Sequence, residues 1–140
     1  MVTKKSLKSV PLSSFLIGGI IAGAMAASFN TLYAFWFPIL TNYSVPQDLI
    51  NYDTVALTSF FPICVGSILY YLISRFINRA TILYITAAIT LSVLCLIRAF
   101  SPVLPNGHVP PDGFTTLTLP MHVVAGLIAV LVVPLFVEYD

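Results

Sequence analysis

The chain has 140 residues, of which 59% are hydrophobic and only 8% charged, and its formal net charge is +1. Soluble domains carry about a quarter charged residues, so a water-soluble fold of this length would lack the polar surface to cover itself. No basic patch is available to neutralise phosphates, which excludes nucleic acid as a partner.

Asp, Glu, Lys and Arg are missing between Lys8 and Asp48, Asp53 and Arg75, Arg79 and Arg98, and Asp112 and Glu138. A hydrocarbon core about 30 Å thick takes roughly 20 helical residues, so each gap holds one membrane span. The first is predicted over about residues 12–37, opening after Pro11 and closing at Pro38, which cannot continue a helical hydrogen-bond ladder. The second covers about 54–74, with Asp53 or Thr54 placed to cap its first amides and Pro62 predicting a kink. The third covers about 80–100 and makes a tight antiparallel hairpin with the second across the segment from Arg75 to Arg79. The fourth covers about 116–137, with Pro120 in its first turn, where an amide has no intrahelical partner anyway, and Pro134 in its last. The expected fold is all-α: one integral membrane four-helix bundle over residues 1–140, antiparallel and up-down.

Lys4, Lys5, Lys8, Arg75 and Arg79 fall on one side of this arrangement, and only Arg98 lies near the other. The positive-inside rule then puts both termini in the cytoplasm and the chain in the cell (inner) membrane, with lipid as its first partner. Two longer loops face outward. One runs over residues 38–53. The other, over 101–115, is rich in Pro and Gly and is expected to form an ordered, irregular cap. Tyr33, Trp36, Tyr43 and Tyr52 gather near the outer boundary, and Tyr70, Tyr71, Tyr84 and Tyr139 near the inner one, as interfacial belts. The lysines followed by Ala24, Met25 and Ala26 also resemble a secretory signal with its cleavage site, but the apolar run continues through Phe37. Asn42, Tyr43 and Ser44 fit a glycosylation acceptor, a pattern without meaning in a bacterium.

Gly19, Gly23 and Ala27 recur every fourth residue on the first span. Such spacing lets helix backbones approach closely, either within the bundle or at a seam for a second copy or a partner subunit. A polar set shares a second pattern. Asn30, Arg98, His122, Thr58 and Ser59 fall at similar depth in the outer third of the four spans, where polar atoms facing lipid are costly, so they are expected to face one another. As a structural cluster, Asn30 and His122 would exchange a hydrogen bond while Arg98 snorkels outward and complements the carbonyl end of its helix. As a functional one, the same groups would form an outward pocket for an anion or a polar head group.

No carboxylate lies deep in a span, so a proton relay or cation path has little support. Haem on His122 lacks a second ligand, because His108 lies in the Pro-rich loop; no cofactor and no metal are expected. Cys64 and Cys95 lie at different depths, form no redox pair, and are expected to be buried thiols packing as small apolar groups. No phosphate loop, nucleophile elbow or other catalytic constellation occurs.

Asn30 and Tyr33 late in the first span, Asn78, Arg79 and Ala80 in the basic hairpin, Ser92, and the run from Met121 to Gly126 opening the fourth span resemble a family of small bacterial four-helix membrane proteins of unknown function. The resemblance covers nearly the whole chain. It implies a topology, four helices with both ends inside, and no activity. With little mass outside the spans, no catalytic constellation and one helix face of small residues, the expected role is a non-enzymatic accessory or structural subunit that packs against other membrane helices, as a homo-oligomer or within a larger complex. The alternative is an outward-facing binding or transport module for an anionic or polar-headed small molecule or lipid.

Overall fold

A computed structural model of the chain describes residues 7–43, 51–100 and 112–138. Lys4, Lys5, Asp48, His108, Tyr139, Ser44 of the acceptor pattern and nearly all of the Pro-rich loop lie outside the described residues. After a short 3-10 turn, Leu7–Ser9, come four helices: α1 (Leu12–Thr41), α2 (Tyr52–Phe76), α3 (Ala80–Phe100) and α4 (Phe114–Glu138). Each is long and apolar enough to cross a membrane.

Pro38 does not end α1. The helix runs one turn further and stops at Asn42, whose φ of 55° and ψ of 23° place it in the left-handed region that asparagine tolerates. Thr41 donates its hydroxyl to the Phe37 carbonyl at 2.7 Å, and Phe37 itself is buried, so tertiary packing holds the turn that proline weakens. The cap of α2 is likewise not Asp53 or Thr54. Asn51 Oδ1 accepts from the Thr54 amide at 2.7 Å, leaving Asp53 in the first turn beside the positive end of the helix dipole. Pro62 sits inside an unbroken α2.

Because α4 begins at Phe114, Pro120 falls in the second turn, where its missing N–H does remove a bond, the one to the Thr116 carbonyl. The Tyr33 phenol replaces it, donating to that carbonyl at 3.2 Å from α1. Gly113, just before α4, has a φ of +92°, and a side chain there would meet the Tyr43 ring 2.8 Å away, so both backbone and space require glycine.

The helices form a ring with three closed seams. α1 packs along α2 and α4, and α3 along α4. Gly19 and Gly23 set the α1–α2 seam: a Cβ on Gly19 would lie 2.7 Å from Ser67 Cβ, and one on Gly23 2.9 Å from the Phe60 ring. The fourth seam, between α2 and α3, closes only near the turn. There Tyr70 stacks on Tyr84 at 4.6 Å and its hydroxyl pairs with Thr81 Oγ1 at 2.7 Å. Val10 and Val137 share a core cluster with these tyrosines, so both ends of the described chain lie at the end of the bundle that holds the α2–α3 turn. That end is called the hairpin end below. At the other, α1 stops and α2 and α4 begin.

Candidate functional site

Opposite the hairpin end, α2 and α4 diverge around a cleft of about 210 Å³ whose floor is Asn30 of α1. Thr54, Val55, Thr58 and Ser59 form the α2 wall. On α4 the wall runs down one face, from Phe114 and Thr118 through Met121 and His122 to Ala125. No residue of α3 lines the cleft, in keeping with the open α2–α3 seam. Exposure falls with depth: Thr54 and Thr58 are exposed, His122 is half-buried, and Ser59 and Asn30 are buried.

Asn30 ties the three helices together. Its Nδ2 donates to Ser59 Oγ at 2.9 Å and to the Met121 carbonyl at 3.1 Å. The expected Asn30–His122 bond does not form; His122 Nδ1 bonds instead to the Thr118 carbonyl one turn earlier, at 2.8 Å. Thr58 and Thr118 return their hydroxyl hydrogens to the carbonyls of Thr54, at 2.6 Å, and Phe114, at 3.0 Å. Each thus satisfies a carbonyl of its own helix and keeps its oxygen as an acceptor.

Four of the five polar residues grouped by depth do come together: Asn30, Thr58, Ser59 and His122 all line the cleft. Arg98 does not. It is exposed on α3, and the carbonyl end of that helix is met by Thr115 Oγ1, which donates to Ala99 at 3.1 Å. The residues of α3 that turn inward include Ala80, Tyr84, Ala88, Ser92 and Leu96, one every fourth position, with Ala99 at the helix end, and Arg98 lies about 200° around the helix from Leu96. Of the polar residues lining the cleft, Thr54 and Thr118 were not assigned to the site from sequence, and neither were its apolar residues; Thr118 is the one with a legible signal. Its signal is the spacing of Thr118, His122 and Ala125, which puts all three on one helix face.

Gly19 and Gly23 are consumed by the α1–α2 seam, and Ala27, one turn on, is half-buried. Both cysteines are free; Cys64 donates its thiol to the Gly19 carbonyl at 3.6 Å, whereas Cys95 is exposed rather than buried. Tyr43 packs edge-on to Phe37 at 5.8 Å, and burial, with Asp112 nearby, pushes its phenol above the usual tyrosine range.

Fold and cleft together define the class: an all-α bundle of four apolar helices with an uncharged cleft whose mainly apolar lining carries a few polar side chains. Comparisons with protein-family models, curated proteins and solved structures find no match to this chain.

Proposed function

We propose that this chain is a non-enzymatic, multi-pass protein of the cell membrane, with both termini cytoplasmic, that binds a small polar-headed molecule or lipid in the cleft. Four apolar helices support the membrane setting. Lys8, Arg75 and Arg79 at the hairpin end support the orientation. The observation that carries binding is the cleft itself, because polar side chains in a lipid-embedded bundle normally pair and pack shut. Its apolar walls at Val55, Met121 and Ala125 suit the first carbons of a chain, and the polar groups suit a head.

The test is native mass spectrometry of the full chain taken from membranes, set against Thr58→Phe, which places a ring across the cleft from an exposed position. Wild-type protein retains a lipid-sized adduct that the variant loses. Equal adducts in both would overturn the proposal.

The accessory-subunit reading loses the small-residue face that suggested it, since Gly19 and Gly23 already hold α2. One observation still favours a helix-packing partner: α3 buries only Ala80, Tyr84 and Ala99. Exposed Cys95 offers a direct probe of a second copy on that face. Oxidation in membranes gives a Cys95-dependent dimer if the faces meet, and monomer alone if α3 faces lipid.

A further inference from the structure

The hydrogen-bonding sense of the cleft is set atom by atom, and it deepens the binding proposal on which it rests. A carbonyl oxygen can only accept, so the Asn30 atom bonded to the Met121 carbonyl is the amide nitrogen. Oδ1 is therefore the other atom, an acceptor with no partner among the described residues, on a side chain only 3% exposed. It is not sealed away, for the sealed partnerless atoms among the described residues are Thr31 Oγ1, the Tyr43 oxygen and Arg75 Nε. Asn30 is one of the residues that line the cleft.

The same rule applies to His122. Its Nδ1 meets the Thr118 carbonyl and so carries a hydrogen; in the tautomer with that single hydrogen, Nε2 is a lone pair with no partner among the described residues. Thr58 and Thr118 have committed their hydrogens to their own helices and present oxygen lone pairs. Pro62 adds to this bias, because it has no N–H to give the Thr58 carbonyl. Free donors are few. Ser59 already accepts from Asn30 and keeps one rotatable hydrogen, and Thr54 stands at the exposed mouth.

We infer that the cleft recognises an uncharged hydroxyl head group, as a hydrogen-bond donor, rather than an anion. The Asn30, His122, Thr58 and Thr118 acceptors would oppose a carboxylate or phosphate, and Arg98, the cation expected to attract one, is not at the site. An ammonium would find acceptors but no carboxylate among the lining residues, and burying it unpaired is unfavourable. A volume of about 210 Å³ seats a head and its first carbons. The tail leaves through the open α2–α3 seam.

The test uses the full chain in phosphatidylcholine nanodiscs, a lipid without a donor head, and measures binding of dodecanol, its methyl ether, dodecylammonium and dodecanoate. Dodecanol should bind about tenfold tighter than the ether, the worth of one good hydrogen bond to a buried acceptor. Dodecylammonium and dodecanoate should bind no better than the ether. His122→Leu should bring dodecanol close to the ether while leaving the ether unchanged, a selective effect that misfolding would not produce. Equal binding of alcohol and ether, or tighter binding of either charged probe, overturns the donor-head inference. Thr58→Phe separates that failure from the wider one. If the variant weakens all four probes, the cleft binds amphiphiles whatever its head-group preference; if it weakens none, the binding proposal falls as well.

Discussion

The two ends of the bundle are built from the same four helices and solve the same problem differently. At the hairpin end, Phe15, Tyr70, Tyr84, Val133 and Val137 pack into one core. Most polar groups there find partners: Tyr70 with Thr81, Tyr84 with the Ala129 carbonyl at 3.1 Å, and the two terminal nitrogens of Arg75 with the carbonyls of Lys8 and Val10 while its guanidinium lies 4.3 Å over Tyr71, leaving only its Nε unpaired. At the opposite end a smaller cluster, with Ala34, Phe37, Val55 and Leu117, sits beside a cleft whose acceptors stay free. A short turn forces α2 and α3 together at one end. Farther along nothing does, and α3 follows α4, where Gly126 lets Ser92 approach. The contrast is between an end whose side chains close into one core and an end that leaves a cleft beside a smaller core.

Substitutions should divide along that line. Tyr70→Ala removes a side chain that is 0% exposed, with its stack and its hydrogen bond, and should cost about 3 kcal/mol in detergent unfolding. Gly19→Val forces a methyl group against Ser67 and should cost about 2 kcal/mol. Asn30→Ala, by contrast, should cost only about 1 kcal/mol, since interhelical hydrogen bonds in membrane bundles are individually modest. Should Asn30→Ala destabilise as much as Tyr70→Ala, the comparison breaks, and the cleft residues are scaffolding.

Smaller effects sharpen the picture. Tyr33→Phe strands the Thr116 carbonyl and should cost about 0.6 kcal/mol, but nearly nothing in a Pro120→Ala background, where the backbone amide returns. A double-mutant cycle reads this directly. The smallest effect belongs to Tyr43. Its folded phenol titrates above the unfolded value, so its contribution is complete below about pH 10 and fades as pH rises through the folded value. Unfolding of Tyr43→Phe should therefore differ from wild type in its pH dependence only in that alkaline range.

Much of the architecture was legible in the order of residues, and the misses have specific causes. The third helix begins and ends at the expected residues because charges and the turn bound it on both sides. Pro38 misled because the rule for proline weighs backbone hydrogen bonds alone, whereas buried Phe37 and the left-handed Asn42 place the stop one turn later. Arg98 was grouped with Asn30 and His122 by depth, a coordinate along the helix that says nothing about direction around it. On helices apolar all round, the faint stripe from Ala80 through Ser92 to Leu96 was the sole guide to that direction.

The residues by themselves determined that four apolar helices form, where each lies to within about a turn, and which polar groups share a level, because these follow from local composition and a fixed rise per residue. Only the tertiary structure decided that Gly19 and Gly23 hold α2, that α3 leaves α2 beyond the turn, and that Asn30 Oδ1 and His122 Nε2 are left over as acceptors. Those outcomes depend on the rotation of each helix and on which partner reaches a given atom first. That competition is settled by packing across the whole bundle.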